Sequence, residues 1–93
     1  MDLGLSGKKA VITGATKGIG RSVAETLLAE GVSVAICARD AAGVEAAVEE
    51  MSALGNVFGA SVDAADGDAV EAWVASAAEQ LGGIDIYVHN TSG

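Results

Sequence analysis

The sequence predicts an α/β fold built around a parallel β-sheet. Four short runs of mostly apolar residues alternate with three longer stretches of helical periodicity, in the order β-α-β-α-β-α-β. Helices of about 12 to 16 residues between short strands are typical of right-handed crossovers that return the chain to a parallel neighbour. Apolar residues make up 51% of the chain, which is enough to form a core.

The predicted strands cover residues 8–13, 32–38, 56–62 and 84–88. Each is short and apolar, and the first two are rich in β-branched residues, as strands with both faces buried usually are. Gly59 is an unusual residue inside the third strand, because glycine weakens a strand. The third strand is therefore the least regular of the four.

Apolar spacing and capping residues delimit the three predicted helices. The first, residues 19–30, has Ile19, Val23 and Leu27 four residues apart and stops at Gly31. The second and third begin at the N-caps Asp40 and Asp66. The second is expected to bury Val44, Val48, Met51 and Leu54 and to stop at Gly55. The third is expected to bury Val70, Trp73, Val74, Ala77 and Leu81 and to stop at Gly82 and Gly83.

Charge and composition exclude several functions. The net charge is −8, and from Asp40 onward there are ten acidic residues and neither Lys nor Arg, so nucleic acid is not expected as a partner. The apolar run at 32–38 is too short to span a bilayer, and the N-terminus lacks the features of a signal peptide. Cys37, the single cysteine, is expected to be a buried residue in a reducing cytoplasm.

The segment between the first strand and the first helix predicts an anion site. Residues 13–20 read TGATKGIG. Gly14 can supply the positive φ of a tight turn, and a side chain at Gly18 would keep the backbone away from a phosphate. Gly20 allows the helix to pack closely against the strand. Free N–H groups at the helix start, together with the positive end of its dipole, would bind a pyrophosphate.

This T-G-x-x-x-G-I-G pattern resembles the short-chain dehydrogenase/reductase family and matches it at every fixed position. The resemblance implies a Rossmann-type, doubly wound parallel sheet whose first four strands lie in the order 3-2-1-4 with three helices. In this strand order the fourth strand would have one bare apolar edge. Two helices would cover one face of the sheet and the third helix the other. It also implies an oxidoreductase that transfers hydride between a nicotinamide and a carbonyl or secondary alcohol, such as a 3-oxoacyl or related ketone reductase. The intact enzyme would be a dimer or tetramer.

The end of the second strand indicates which nicotinamide cofactor is used. An acidic residue there would bind the free 2′-hydroxyl of NAD, but this chain has Ala38 followed by Arg39. The guanidinium of Arg39 suits a 2′-phosphate, and Lys17 in the loop could add a second positive charge. In the family both positions indicate NADP. The alternative is that these two are solvated surface residues, and Arg21 is expected to be an exposed helix residue.

Two further positions follow from the resemblance. Asp63, after the third strand, corresponds to a family Asp that accepts a hydrogen bond from the adenine amino group, although it could instead serve as a turn or cap residue. Asn90 is the one matching residue where the family reads Asn-Asn-Ala-Gly, and His89 beside it is interpreted as structural or as flanking the cofactor. The predicted cofactor-binding residues are therefore Gly14, Thr16, Lys17, Gly18, Ile19, Gly20, Arg39, Asp63 and Asn90. No metal site is expected, because His89 and Cys37 lack partners.

The catalytic residues of the family do not occur in this sequence. The family uses a Ser, a Tyr-x-x-x-Lys pair and a later Asn, whereas Tyr87 is followed at the fourth position by Thr91. Residues 1–93 are thus expected to be the N-terminal, NADP(H)-binding portion of one Rossmann domain without its catalytic half. A non-catalytic NADP-binding sensor on the same fold is the main alternative. An S-adenosylmethionine methyltransferase is less consistent with the sequence. The ligand of such an enzyme has free ribose hydroxyls, and Arg39 stands where an acidic residue would be expected.

Overall fold

A computed structural model describes residues 6–14, 18–63 and 65–89 of the chain. The seven predicted elements are present in the predicted order. The elements are β1 (Lys9–Thr13), α1 (Gly18–Ala29), β2 (Ser33–Ala38), α2 (Ala41–Met51), β3 (Val57–Ser61), α3 (Gly67–Leu81) and β4 (Ile86–Val88). Each strand is one or two residues shorter than predicted. None of the helices within the described ranges has the length and apolar character that crossing a membrane requires.

The four strands form one parallel sheet in the order β3-β2-β1-β4, which confirms the predicted topology. Thr13 pairs with Cys37, Ala38 pairs with Ser61, and Ile12 pairs with Val88. The strand order reverses at β1, because β2 lies on one side of it and β4 on the other. In open α/β sheets ligands bind beyond the carboxyl ends of the strands at this point of reversal. From the topology, a ligand-binding crevice is therefore expected next to Gly14.

The two faces of the sheet are covered unequally, as predicted. On one face α1 and α2 enclose the larger core, whose buried residues are Ala10, Ile12, Ala24, Leu28, Val32, Val34, Ile36, Ala47 and Met51. On the other face α3 covers a smaller core, made of Val11, Ala35, Cys37, Trp73, Ala77 and Leu81. Trp73 is 8% exposed, so it is a core residue, as its helical spacing predicted.

Helix α1 is rotated relative to the prediction. Ile19, which shares a four-residue spacing with Val23 and Leu27, is 79% exposed. The residues that face the sheet are Gly20, Ala24 and Leu28, while Val23 and Leu27 lie partly buried at the flank. Small residues at the contact let the helix backbone approach the sheet, and this close approach fixes the rotation. Ile19 therefore lies outside the core, although it shares the apolar spacing of the helix.

Helix α2 ends earlier than predicted. Its N-cap is Asp40, as expected, and the carboxylate accepts a hydrogen bond from the N–H of Ala42 at 3.2 Å. The last helical residue is Met51, and Ser52 is the C-cap in a right-handed conformation. Leu54 lies beyond the helix and is 47% exposed, so it is not a core residue, and Gly55 is not the cap.

Helix α3 follows the sequence prediction at both ends. The Asp66 carboxylate accepts a hydrogen bond from the N–H of Ala69 at 3.2 Å, which satisfies one of the free donors of the first turn. Gly82 ends the helix with a φ of +83°, and its N–H donates to the carbonyl of Ala78. Aspartate and glycine at these two positions are sufficient to fix the length of the helix.

Two aromatic side chains are exposed on the face that α3 covers. Phe58 on β3 pairs in register with Ala35, and Tyr87 on β4 pairs with Val11. Phe58 is 39% exposed and Tyr87 is 47% exposed. Because α3 packs over β1 and β2, the two outer strands keep these rings accessible on either side of the helix. The half-covered face expected from the sequence is thus seen in the structure.

The close packing of α2 against β3 explains why residue 59 is a glycine. A Cβ atom at position 59 would lie 2.6 Å from both the Cγ1 of Val44 and the Cγ2 of Val48. We expect Gly59→Ala to lower the free energy of unfolding by about 1 to 3 kcal/mol, because overpacking must push the helix from the sheet. Urea denaturation of the full-length protein measures this change. Gly67→Ala is the matched control, since a Cβ there meets no atom within 4 Å. Equal stabilities of the two variants would contradict the close packing.

Candidate functional site: the crevice at the carboxyl end of the sheet

Gly14, at the start of the turn that leaves β1, has the positive φ predicted for it. Gly14 has a φ of +67°, which residues other than glycine rarely adopt. Its N–H donates to the carbonyl of Cys37 at 2.7 Å, so the start of the turn is bonded to the end of β2. Gly18, the first residue of α1, also has a φ of +67°. Glycine is thus required at both ends of the loop.

The start of α1 offers a cradle for an anion. A Cβ built at Gly18 would meet no atom within 4 Å, so the space beside the helix terminus is open. The first turn contains no acidic residue that would neutralise the helix dipole or occupy its free N–H groups. Ile19 is exposed beside this cradle, and Gly20 is buried on the inner side of the helix, in agreement with the close packing expected of it. Backbone donors, dipole and open space together suit a phosphate group.

Three of the predicted cofactor-binding residues lie outside the described residues. These are Thr16, Lys17 and Asn90. Their roles remain predictions from the sequence. The other six predicted positions, Gly14, Gly18, Ile19, Gly20, Arg39 and Asp63, are described.

Arg39 occupies the corner where β2 ends and α2 begins. It follows Ala38, the last residue of β2, and precedes Asp40, the N-cap of α2. The residue is exposed, and within the described ranges its guanidinium forms no ion pair with a carboxylate. The neighbouring Asp40 carboxylate is engaged in capping α2. The guanidinium of Arg39 is therefore available to an anion.

Arg21 has a different role from the one expected. Its guanidinium forms ion pairs with Glu25, at 3.2 Å, and with Glu50 on α2, at 2.6 Å. Hydrogen bonds, to Glu50 first and then to Glu25, raise the pKa of Arg21 above its ordinary value. The side chain is 28% exposed and links α1 to α2, so it is not simply an exposed helix residue. The spacing of four residues could have predicted the contact with Glu25.

Asp63 forms a local turn at the end of β3. Its Oδ1 accepts a hydrogen bond from the N–H of Ala65 at 2.9 Å, and its carbonyl accepts one from Asp66 at 2.9 Å. The turn role considered from the sequence is therefore real. It does not conflict with recognition of adenine, since a carboxylate has several acceptor sites. The contact with adenine stays a prediction.

Sequence reasoning missed a side-chain contact between β1 and β4. Thr13 is fully buried, and its Oγ1 lies 3.3 Å from Nδ1 of His89. The His89 ring stacks on Tyr87 with 6.3 Å between the ring centroids. The pairing of Ile12 with Val88 puts the next residue of each strand side by side, so the strand register would have revealed the contact. The ends of both strands are thus tied together next to Gly14.

Cys37 lies below the glycine loop. Burial raises the pKa of its thiol, and a hydrogen bond from Gly14 partly offsets that change. The residue is 0% exposed, as expected for a core cysteine. In the part of the chain that the structure describes, no group of three or more His, Cys, Asp or Glu residues is arranged to bind a metal ion.

Comparison with known proteins decides the family. A family model described as short chain dehydrogenase matches residues 8–93. The chain belongs to the short-chain dehydrogenase family. The Rossmann-type fold of the solved family members is the fold seen here, with the sheet order β3-β2-β1-β4.

Three similar short-chain dehydrogenase relatives show how much of the family fold this chain covers. An uncharacterized oxidoreductase of Bacillus subtilis (strain 168), YvrD, is 40% identical over 90 residues, which are 97% of this chain and 34% of that protein. The 3-oxoacyl-[acyl-carrier-protein] reductase FabG of Staphylococcus aureus (strain Mu50) is 41% identical over 85 residues, 89% of this chain and 35% of that reductase. L-sorbose reductase from Gluconobacter frateurii, in a crystal structure with NADPH and L-sorbose, has a TM-score of 0.92 and 37% identity, covering 100% of this chain and 36% of its own. The chain spans about a third of the length of these relatives.

Proposed function

We propose that this chain is the NADP(H)-binding portion of an oxidoreductase that transfers hydride between the nicotinamide and a carbonyl or secondary alcohol. The observation that carries the proposal is the position of Arg39. Its guanidinium is exposed at the carboxyl end of β2, without an ion pair among the described residues. An acidic residue at the end of this strand would favour NAD, whereas an Arg nearby suits the 2′-phosphate of NADP.

The residues present fit such a cofactor. The open space at Gly18 and the free N–H groups of α1 would hold the pyrophosphate. Arg39, which directly follows the neighbouring strand β2, would bind the 2′-phosphate through charge-assisted hydrogen bonds, and Lys17 would add a positive charge from the loop. Asp63, which follows β3, would accept a hydrogen bond from the adenine amino group. Asn90, which follows β4, would help to tie strands together under the adenosine ribose. In this proposal the adenine, the ribose phosphate and the pyrophosphate would lie in the order of the strands β3, β2 and β1.

The chemistry of the proposed reaction is supplied by the bound nicotinamide, which donates or accepts the hydride. The residues of this chain bind and orient the cofactor. The proton donor, a Tyr assisted by a Lys in the family resemblance, is expected in the part of the protein that these 93 residues do not cover. We propose that the intact protein acts in the cytoplasm as a dimer or tetramer.

The proposed substrate class is supported by the names of two relatives. One similar protein is named a reductase of 3-oxoacyl groups on acyl-carrier protein, and another is a reductase of L-sorbose with NADPH bound. We therefore propose a ketone, such as a 3-oxoacyl thioester or a ketose, as the substrate of the full-length protein.

Calorimetric titration and a turnover assay test the proposal. The full-length protein is titrated with NADPH and NADH, and NADPH is expected to bind at least about 10-fold more tightly, since charge-assisted hydrogen bonds are involved. NADPH consumption is then followed with a 3-oxoacyl thioester and with a ketose. Equal or tighter binding of NADH would contradict the cofactor assignment. Tight NADPH binding with no turnover of any ketone or alcohol would favour a non-catalytic sensor.

A further inference from the structure

The corner that carries Arg39 is held from two sides. In the sheet, Ala38 pairs with Ser61, and the N–H of Val62 donates to the carbonyl of Ala38 at 2.9 Å. This is the last backbone bond between the two strands among the described residues. The carbonyl of Arg39 comes next along the chain, where the regular ladder has ended.

Ser61 extends the ladder by one residue. Its Oγ donates a hydrogen bond to the carbonyl of Arg39 at 2.9 Å, across 22 positions of sequence. On the other side of Arg39, Asp40 has the extended conformation of an N-cap, with a φ of −85° and a ψ of 106°, and its side chain is bonded to the first turn of α2. The backbone of Arg39 is therefore fixed between a strand pairing and a helix cap.

A fixed backbone matters here because the side chain of Arg39 is long and exposed. Recognition of a phosphate by a guanidinium depends on the planar fork of the guanidinium being directed at two oxygens of the phosphate. Each freely rotating bond that must be ordered on binding reduces the affinity. If the carbonyl of Arg39 lost its partner, the turn could move, and the guanidinium would start from a wider range of positions.

We propose that Ser61 is a positioning residue for cofactor selectivity, which acts by anchoring the backbone of Arg39. This inference rests on the proposed function, in which Arg39 binds the 2′-phosphate. Ser61 lies at the end of β3, and its hydroxyl is directed at the Arg39 carbonyl, so its effect on the cofactor passes through Arg39. Its loss should therefore affect NADPH and not NADH.

The test is the ratio of the affinity for NADPH to the affinity for NADH, measured in the full-length protein. In Ser61→Ala, calorimetric titration should show NADPH binding weakened by about 2- to 10-fold, where the upper value corresponds to the whole contribution of one ordinary hydrogen bond, with NADH binding unchanged. Ser61→Thr keeps a hydroxyl on a residue that suits a strand and should retain the ratio of the natural protein. Ser61 is exposed, so both variants should fold.

The matched control is Ser52→Ala. Ser52 also donates from an exposed hydroxyl to a backbone carbonyl, that of Glu49, at 2.8 Å, but it lies at the opposite end of α2. Its removal should lower stability by a similar amount and leave the NADPH to NADH ratio unchanged. An equal change in the ratio for Ser52→Ala would overturn the proposal.

Combination with Arg39→Ala separates this inference from the proposed function. Once the Arg39 side chain is absent, Ser61→Ala should have no further effect on the ratio, since the two changes act through one contact. If Arg39→Ala itself leaves the ratio unchanged, the proposed cofactor assignment is wrong. If Arg39→Ala lowers the ratio and Ser61→Ala does not, only the positioning role is wrong. Equal weakening of NADPH and NADH by Ser61→Ala would also overturn it.

Discussion

In a Gly18→Ala variant of the full-length protein, cofactor binding is expected to fall by at least about 100-fold, because two or more phosphate hydrogen bonds would be lost. The added methyl group would project into the open space beside the start of α1, where the structure places no atom within 4 Å. That space is the proposed phosphate cradle. A side chain there would hold the phosphate away from the N–H groups of the helix. NADPH and NADH should be affected alike, since both carry the pyrophosphate.

Gly7→Ala is the control for backbone strain in this experiment. Gly7 has a φ of +84°, and a Cβ there would also meet no atom within 4 Å. It lies before β1, at the end of the sheet opposite the crevice. Both alanines carry the cost of a left-handed conformation, about 1 to 2 kcal/mol, so both variants should lose similar stability in urea. Calorimetric titration should show a binding defect for Gly18→Ala alone. Normal NADPH binding by Gly18→Ala would show that the phosphate does not lie at this loop.

Arg39→Ala is expected to weaken NADPH binding by roughly 10- to 150-fold and to leave NADH binding nearly unchanged. The range corresponds to loss of charge-assisted hydrogen bonds of about 1.5 to 3 kcal/mol. The side chain is exposed and, among the described residues, makes no ion pair, so its removal should cost little stability. The loss should therefore appear in binding and not in folding.

Titration of both cofactors measures this selectivity, and two further variants give the result a physical interpretation. Arg39→Lys keeps the charge but not the planar fork, so it should fall between the natural protein and Arg39→Ala. Lys8→Ala changes the net charge by the same amount. Lys8 is exposed and precedes β1, at the end of the sheet away from the candidate site, so both affinities should stay unchanged. An equal loss of NADPH and NADH in Arg39→Ala would show that this guanidinium does not read the 2′-phosphate.

Local signals were sufficient to predict the elements of the fold. Asp40, Asp66 and Gly82 each delimit a helix through contacts with residues close in sequence, and all three predictions are confirmed. The rotation of α1 could not be read from Ile19, Val23 and Leu27, since the contact with the sheet is made by residues that include Gly20 and Ala24. Apolar spacing identifies a helix, but it does not reveal that small residues such as Gly20 and Ala24 form the face that contacts the sheet.

The geometry of the candidate site was predictable where it depends on backbone conformation. The positive φ of Gly14 and the position of Arg39 after β2 both follow from the order of strand, turn and helix. Contacts between distant segments were not predictable in this way. The link from Arg21 to Glu50 spans 29 positions, and that from Thr13 to His89 spans 76. Such pairs become visible only when the packing of helices and the register of strands are known.

The order of the strands also determines which part of the candidate site unfolds first when the sheet opens locally. β1 is hydrogen-bonded on both sides, whereas β3 has a neighbour on one side in the part of the chain that the structure describes. Amides of central strands exchange with solvent only on extensive unfolding, while outer strands open locally at lower free energy. The glycine loop is attached to β1, but the anchor of Arg39 is attached to β3 through Ser61. As the domain begins to fluctuate, we therefore expect the proposed discrimination between the two cofactors to be lost before the proposed binding of their shared pyrophosphate.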